Sequence, residues 1–324
     1  MEKIKIIALV GPTASGKTAL SIELAKRLGG EVVSCDSMQV YRGMDVGTAK
    51  PTKEEMSGVK HHMIDVAEPW ETFSVAEYVL RAKEAVDAVR AAGKLPIFCG
   101  GTGLYLDSFL RGGGFEETES DPTLRQELFA YAEVNGAHAL HERLRAVDPE
   151  SADAIHENNV KRVVRALEIF ESTGMTKTEA DRRSRLHPSP YDATVIGLSY
   201  PTREILYERI GMRVDRMLED GLVEETKRLL EAGVFETNST AAQAIGYKEI
   251  LPYLNGDATL EAAREQLILA TRRYAKRQMT WFRAKDYVNP LCMTDGEGRL
   301  RTLASVADEA EAILAQAAVR EGVL

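Results

Sequence analysis

The sequence predicts an α/β protein: a mainly parallel sheet of five strands carrying a phosphate-binding loop, with a helical insertion and a helical C-terminal half. Three observations carry this. Short apolar, β-branched runs alternate with helical periods through the first third of the chain, as in parallel βαβ units. A glycine-rich turn, Gly11-Pro12-Thr13-Ala14-Ser15-Gly16-Lys17-Thr18, joins the first such run to the first helical one. From 121 to 190 the period is helical only and turn residues bound it on both sides. The expected division is a core of 1–120 and 191–324 with an inserted domain of 121–190.

Ile4 to Val10 reads as a buried first strand, and Leu20, Leu24 and Leu28 repeat at helical spacing up to the stop at Gly29-Gly30. The turn between them has the pattern G-x-x-x-x-G-K-[ST] in the strand–loop–helix setting that gives it meaning. Gly11 and Gly16 let successive backbone N–H groups face one concavity, to which the helix adds its positive end. Lys17 then reaches the terminal phosphates and Thr18 offers a hydroxyl to Mg²⁺. This loop binds a di- or triphosphate, which leaves open what is transferred.

Glu31 to Cys35 reads as a second strand ending at Asp36. Ligands collect at the carboxyl ends of parallel strands, so Asp36 either holds Mg²⁺ through water or serves as a general base, unless it only caps a turn. The stretch from Ser37 to Pro51 is polar, broken by glycine and without a period, the character of a functional loop. His61 to Val66 reads as a third strand, with the His pair as strand-start packing rather than a metal site. Ser74 and Glu77 form a capping box for a helix up to Gly93. Leu95 to Cys99 is the fourth strand, and the glycines of Gly100-Gly101-Thr102-Gly103 permit close approach of a ligand to backbone. Thr102 there either donates to a phosphate or base or caps the next helix.

Asp121 reads as an N-cap before Pro122. Within the insertion, residues 161–185 carry seven basic and four acidic side chains, a net +3. Ala193 to Tyr200 restores a fifth strand, and helices follow at about 202–219, 222–232, 240–250, 258–285 and 305–320. Residues 264–286 hold seven basic and two acidic groups, a net +5, in a chain of net charge −9. Arg272, Arg273, Lys276, Arg277 and Arg283 run beside Leu267, Ala270, Tyr274 and Trp281, an arrangement suited to an RNA backbone or to a solvated face. Three dispersed cysteines without a C-x-x-C pair fit a reducing compartment. The first strand begins too early to leave room for a signal peptide, and no apolar run nears the ~20 residues of a membrane span. A cytoplasmic enzyme, acting as a monomer, is expected.

Together these stretches resemble the tRNA dimethylallyltransferases, or tRNA isopentenyltransferases. The resemblance runs in order through the phosphate loop, Asp36 to Arg42, Asp45 to Pro51, Gly100 to Tyr105, Arg162 to Glu168, Gln243 to Glu249 and Lys276 to Arg283, across nearly the whole chain. It implies transfer of a dimethylallyl group from dimethylallyl diphosphate to N6 of the adenosine just 3′ of the anticodon, with Mg²⁺. Under it, Gly11 to Thr18 hold the donor diphosphate, and Asp36 accepts the amine proton. Lys17 and Thr18 stabilise the leaving group, while Thr102 and Arg125 line the channel where donor and base meet. The tRNA contacts it implies are Asp36, Ser37, Met38, Gln39, Thr102, Arg125, Lys161, Arg162, Arg165, Gln243, Gly246, Tyr247, Lys276, Arg277, Gln278 and Arg283. Lys161 stands where many members have glutamine, keeping a donor and losing an acceptor. The C-terminus lacks the Cys/His zinc finger of eukaryotic relatives, which implies the bacterial type. On the residues alone, the alternative is an ATP-dependent nucleotide or small-metabolite kinase. A GTPase is disfavoured because no Asn-Lys-x-Asp motif occurs.

Overall fold

The computed structural model describes residues 3–112, 122–186 and 188–320. Among them six strands form one sheet: β1 (Ile4–Val10), β2 (Gly30–Ser34), β3 (His61–His62), β4 (Leu95–Gly100), β5 (Tyr191–Ser199) and β6 (Val288–Cys292). Their order is β3-β2-β4-β1-β5-β6, with every pairing parallel. The expected five strands are thus corrected to six. β6 contains Pro290, which has no N–H for a ladder and reads as a break. On the sheet edge, paired only with β5, that loss is tolerated. The third strand stops after two residues because Met63 and Asp65 take left-handed φ angles of 62° and 54°.

Alternation along β1 builds two cores. Ile7 and Leu9 face one with Leu20, Leu24, Ile97 and Ile196, whereas Ile6, Ala8 and Val10 face the other with Val33, Phe98, Tyr105 and Phe109. Both faces of the sheet are therefore covered, as a parallel sheet requires. The helix Lys17–Leu28, following β1, packs on the first face, and Gly103–Leu110, following β4, packs on the second. β1 and β4 are neighbours, so their onward connections part to opposite sides and open a crevice at their carboxyl ends. Ligands of open α/β sheets sit in such crevices.

A third core joins the stretch after Asp36 to the C-terminal helices. Val40, Tyr41 and Met44 are completely buried against Val234, Tyr247, Ile250 and Leu267. The polar, aperiodic sequence hid these anchors. The buried carboxylate of Glu225 fixes the stretch: it accepts from the backbone N–H groups of Asp45, Val46 and Gly47, each at 3.0 Å, and from the Tyr247 hydroxyl at 2.7 Å. The expected helix 240–250 is split into Ser239–Ala242 and Tyr247–Leu254 by a turn at Gly246.

The chain falls into two compact units, Met1–Leu110 with Tyr191–Leu324, and Arg111–Pro190. The second unit has its own core of Leu128, Leu140, Leu144, Val163, Val164 and Leu167, supplied chiefly by the helical stretch Pro122–Val147 and the helix Val160–Thr173. Gly136, with φ of 88°, interrupts the first of these. Asp121, expected to cap it, lies outside the described residues. No helix among the described residues is long and apolar enough to cross a membrane.

Replacing Glu225 with alanine leaves three backbone donors and a phenol without their acceptor. Each buried donor left unpaired costs about 1–3 kcal/mol. Urea unfolding of Glu225→Ala should therefore show a loss of about 3 kcal/mol or more; an unchanged midpoint would mean the carboxylate contributes nothing to the fold.

Candidate active site

The carboxyl ends of β1, β4 and β2 are adjacent, which brings the phosphate loop, Thr102 and Asp36 to one edge of the sheet. Gly16, with φ of 93°, turns the loop into the helix that starts at Lys17 and has no capping side chain, so its first N–H groups remain available to a ligand. Side chains from far along the chain hold the loop from outside. Gln278 Oε1 accepts from Thr13 N at 2.8 Å, Arg209 Nε donates to the Ala14 carbonyl at 2.8 Å, and the Tyr200 hydroxyl donates to the Ser15 carbonyl at 3.2 Å. Ser15 Oγ is buried without a hydrogen-bond partner. Lys17 Nζ donates to the Pro12 carbonyl at 2.6 Å. Burial pulls the Lys17 ammonium down to about 8; Asp36 opposes that shift and Arg213 adds to it.

Asp36 is half-buried and its Oδ1 accepts from Met38 N at 2.9 Å and Gln39 N at 3.4 Å, so it does cap a turn. Its Oδ2 has no hydrogen-bond partner among the described residues, and the turn aims rather than consumes the carboxylate. Thr102 is tied to the same place: its N–H donates to the Cys35 carbonyl at 3.1 Å and its Oγ1 accepts from Ser37 N at 3.1 Å. The glycines around Thr102 admit protein, not a ligand as the sequence had indicated. A Cβ on Gly100 would lie 2.0 Å from the Cys35 carbonyl oxygen, one on Gly101 2.0 Å from Gln278 Nε2, and one on Gly103 2.3 Å from the Trp281 ring. The turn is thereby pressed between the end of β2 and the helix Leu260–Arg283.

Arg213 escaped the sequence reading. It sits four residues after Arg209 on the helix Glu204–Glu219, within electrostatic reach of Lys17 and Asp36, and burial lowers its pKa while Asp36 raises it. The available signal was two arginines at i and i+4 interleaved with buried Leu206, Ile210 and Val214. Tyr274 also belongs to this neighbourhood; burial first, then the Asp36 charge, push its phenol up.

Four expected RNA contacts turn inward instead. Gln278 is 5% exposed and bridges Thr13 N and the Gly101 carbonyl, the latter at 3.1 Å. Tyr247 is fully buried with its hydroxyl on Glu225. The Gln39 amide is likewise taken up internally by Ser34 and the Thr48 and Ala49 carbonyls, and Gly246 is buried with its N–H on Glu249. Gln243, Arg273, Lys276, Arg277 and Arg283 are exposed, whereas Arg272 folds over the Tyr207 ring at 4.9 Å. In the second unit Lys161 and Arg162 are exposed, and Arg125 and Arg165 both bind the buried carboxylate of Glu168 at 2.7 and 2.9 Å.

Residues 39–285 match the model of the IPP transferase family. The chain is 50% identical over 286 residues to a tRNA dimethylallyltransferase of Caldanaerobacter subterraneus, covering 88% of this chain and 90% of the relative. It is 44% identical to the solved tRNA isopentenylpyrophosphate transferase of Bacillus halodurans, with a TM-score of 0.70 over 99% of this chain and 100% of that one. A eukaryotic dimethylallyltransferase solved acting on tRNA is 31% identical, with a TM-score of 0.77 over 90% of this chain and 74% of that one.

Two outcomes are expected at the loop. With Lys17 titrating at about 8 when free, and held protonated by a bound polyanion, binding above pH 8 takes up a proton. Affinity for inorganic diphosphate should then fall about tenfold from pH 7 to pH 9, and stay level in Lys17→Arg; calorimetric titration at both pH values decides it, and a flat wild-type profile counts against a depressed Lys17. Gln278→Ala unties Thr13 N and the Gly101 carbonyl, and should weaken the same binding by about tenfold.

Proposed function

The chain belongs to the IPP transferase family, and we propose that the edge of the sheet bearing the phosphate loop, Asp36 and Thr102 is where it carries out prenyl transfer. It transfers a dimethylallyl group from dimethylallyl diphosphate to N6 of the adenosine immediately 3′ of the anticodon in tRNA, releasing diphosphate. The observation that supports the siting most is the convergence of a phosphate loop, a cationic Lys17 and a carboxylate with one free oxygen at the adjacent ends of β1, β4 and β2. A kinase, the alternative left by the loop alone, is set aside because relatives matching about nine-tenths of the chain are named for dimethylallyl transfer.

The loop N–H groups, the positive end of the Lys17–Leu28 helix and Lys17 bind the donor diphosphate and oppose the charge that grows on it as the allylic C–O bond breaks. Arg213 adds a second cation on the same side. The adenine amine is a weak nucleophile because its lone pair is shared with the ring. Asp36 takes the N6 proton as the N–C bond forms, and the C–O bonding pair leaves with diphosphate. Thr102, fixed against Cys35 and Ser37, orients the base beside Asp36. The base reaches this edge by leaving the anticodon stack.

The donor set fits a hard cation held mostly by substrate. Thr18 and Asp36 offer a hydroxyl and a carboxylate, and among the described residues no group of three or more His, Cys, Asp or Glu side chains forms a protein cage. Mg²⁺ commonly takes one or two protein oxygens together with phosphate and water. When bound, it neutralises diphosphate charge. Lys276, Arg277 and Arg283 meet RNA phosphates on one unit, and Arg125, Lys161, Arg162 and Arg165 do so on the other. All the residues assigned to the reaction come from one chain, so a monomer suffices. The three free cysteines suit a reducing, cytoplasmic setting.

Incubation with radiolabelled dimethylallyl diphosphate, Mg²⁺ and unmodified tRNA should move label to the adenosine beside the anticodon. Asp36→Ala should lower the transfer rate about 10²–10⁴-fold while leaving donor binding intact. Full activity in that variant would remove Asp36 from the chemistry.

A further inference from the structure

Glu168 is the least expected charged group in the second unit. It is fully buried, on the helix Val160–Thr173, and its Oε2 accepts from two guanidinium groups. One is Arg165, a turn earlier on the same helix; the other is Arg125, from the helical stretch Pro122–Val147. Both arginine side chains are 42% exposed. Each gives one N–H to Glu168 and has four left in a planar fork. Burial would push the Glu168 carboxyl up, but the two guanidinium groups outweigh it and hold it below the usual range. At neutral pH it is therefore ionised.

Two guanidinium groups sharing one oxygen lie closer together than free cations would settle, since like charges repel. Their shared anion carries one charge against two, so the trio presents a net positive face. Lys161 and Arg162, at i−4 and i−3 from Arg165, extend that face and are exposed. The planar fork of N–H donors on each guanidinium suits the non-bridging oxygens of a phosphate group.

We propose that Glu168 is a positioning residue that presents Arg125 and Arg165 together to one phosphodiester of the bound tRNA. This rests on the reading of the chain as a tRNA prenyltransferase. Removing the charge by Glu168→Gln frees a cation while loosening the pair, so binding strength and turnover should separate. A residue that only stabilised the fold would lower both.

The test compares wild type and Glu168→Gln in the full chain: transfer kinetics against tRNA and against dimethylallyl diphosphate, tRNA dissociation constants over a salt series, and melting temperature. The expected result is a fall of tenfold or more in kcat/KM for tRNA with an unchanged KM for the donor. Binding of tRNA at low salt should be no weaker, with a steeper salt dependence. Wild-type kinetics and salt dependence in the variant would overturn the proposal. A shift confined to the donor KM would also overturn it, by assigning the pair to the donor diphosphate. If Glu168→Gln does not fold, Arg165→Lys asks the same question with the charge kept: a tenfold fall in kcat/KM for tRNA supports the pair, and no fall overturns it. Absence of transfer by the wild type would remove the enzymatic reading alone, and the salt series would still judge Glu168.

Discussion

The amide of Gln278 is the interaction on which the site depends. Its oxygen holds the N–H of Thr13 and its nitrogen holds the carbonyl of Gly101, so one side chain joins the phosphate loop to the turn bearing Thr102. Both backbone groups belong to irregular segments, which have no ladder or helix to satisfy them. Gln278 supplies the partners, and Gly101 has no side chain because the amide occupies that space. The helix carrying Gln278 also carries exposed Lys276 and Arg277. The surface assigned to RNA and the cradle assigned to the donor are thus parts of one packed object.

The same logic governs the stretch after Asp36. Asp36 aims its carboxylate through a two-bond turn, and that turn is held by Thr102 on one side and by the core of Val40, Tyr41 and Met44 on the other. In the proposed role of general base, Asp36 must keep a fixed distance from its proton, and a buried hydrophobic anchor four residues away gives that fixity better than a solvated loop. Glu225 completes the support from a helix nearly two hundred residues further along.

What the sequence disclosed divides along physical lines. The phosphate loop was legible because its function needs particular residues at particular places within eight positions, and β1, β2, β4 and β5 were legible because each carries a short apolar, largely β-branched run. β6 was illegible because proline at an edge and proline in a core strand look the same in one dimension. The inward turn of Gln278 and Tyr247 was hidden for a related reason. A glutamine between basic residues on a helix has the period of a surface face, and only packing against Gly101 reveals that its angle on the helix points to the site. Arg209, Arg213 and Glu168 were passed over because charged residues on amphipathic helices are usually solvated. The full burial of Glu168 and the half-burial of the two arginines are tertiary facts.

The placement of the loop's supports also orders its assembly in time. The cradle itself is complete within the first eighteen residues, yet its tethers are Tyr200, Arg209 and Gln278. During synthesis at about 5–20 residues per second, the cradle waits roughly tens of seconds on the ribosome for the last of them. Through that interval the motif is present without its three tethers. The last tether comes with the basic helix that carries Gln278, so the cradle assigned to the donor and the surface assigned to RNA are completed together.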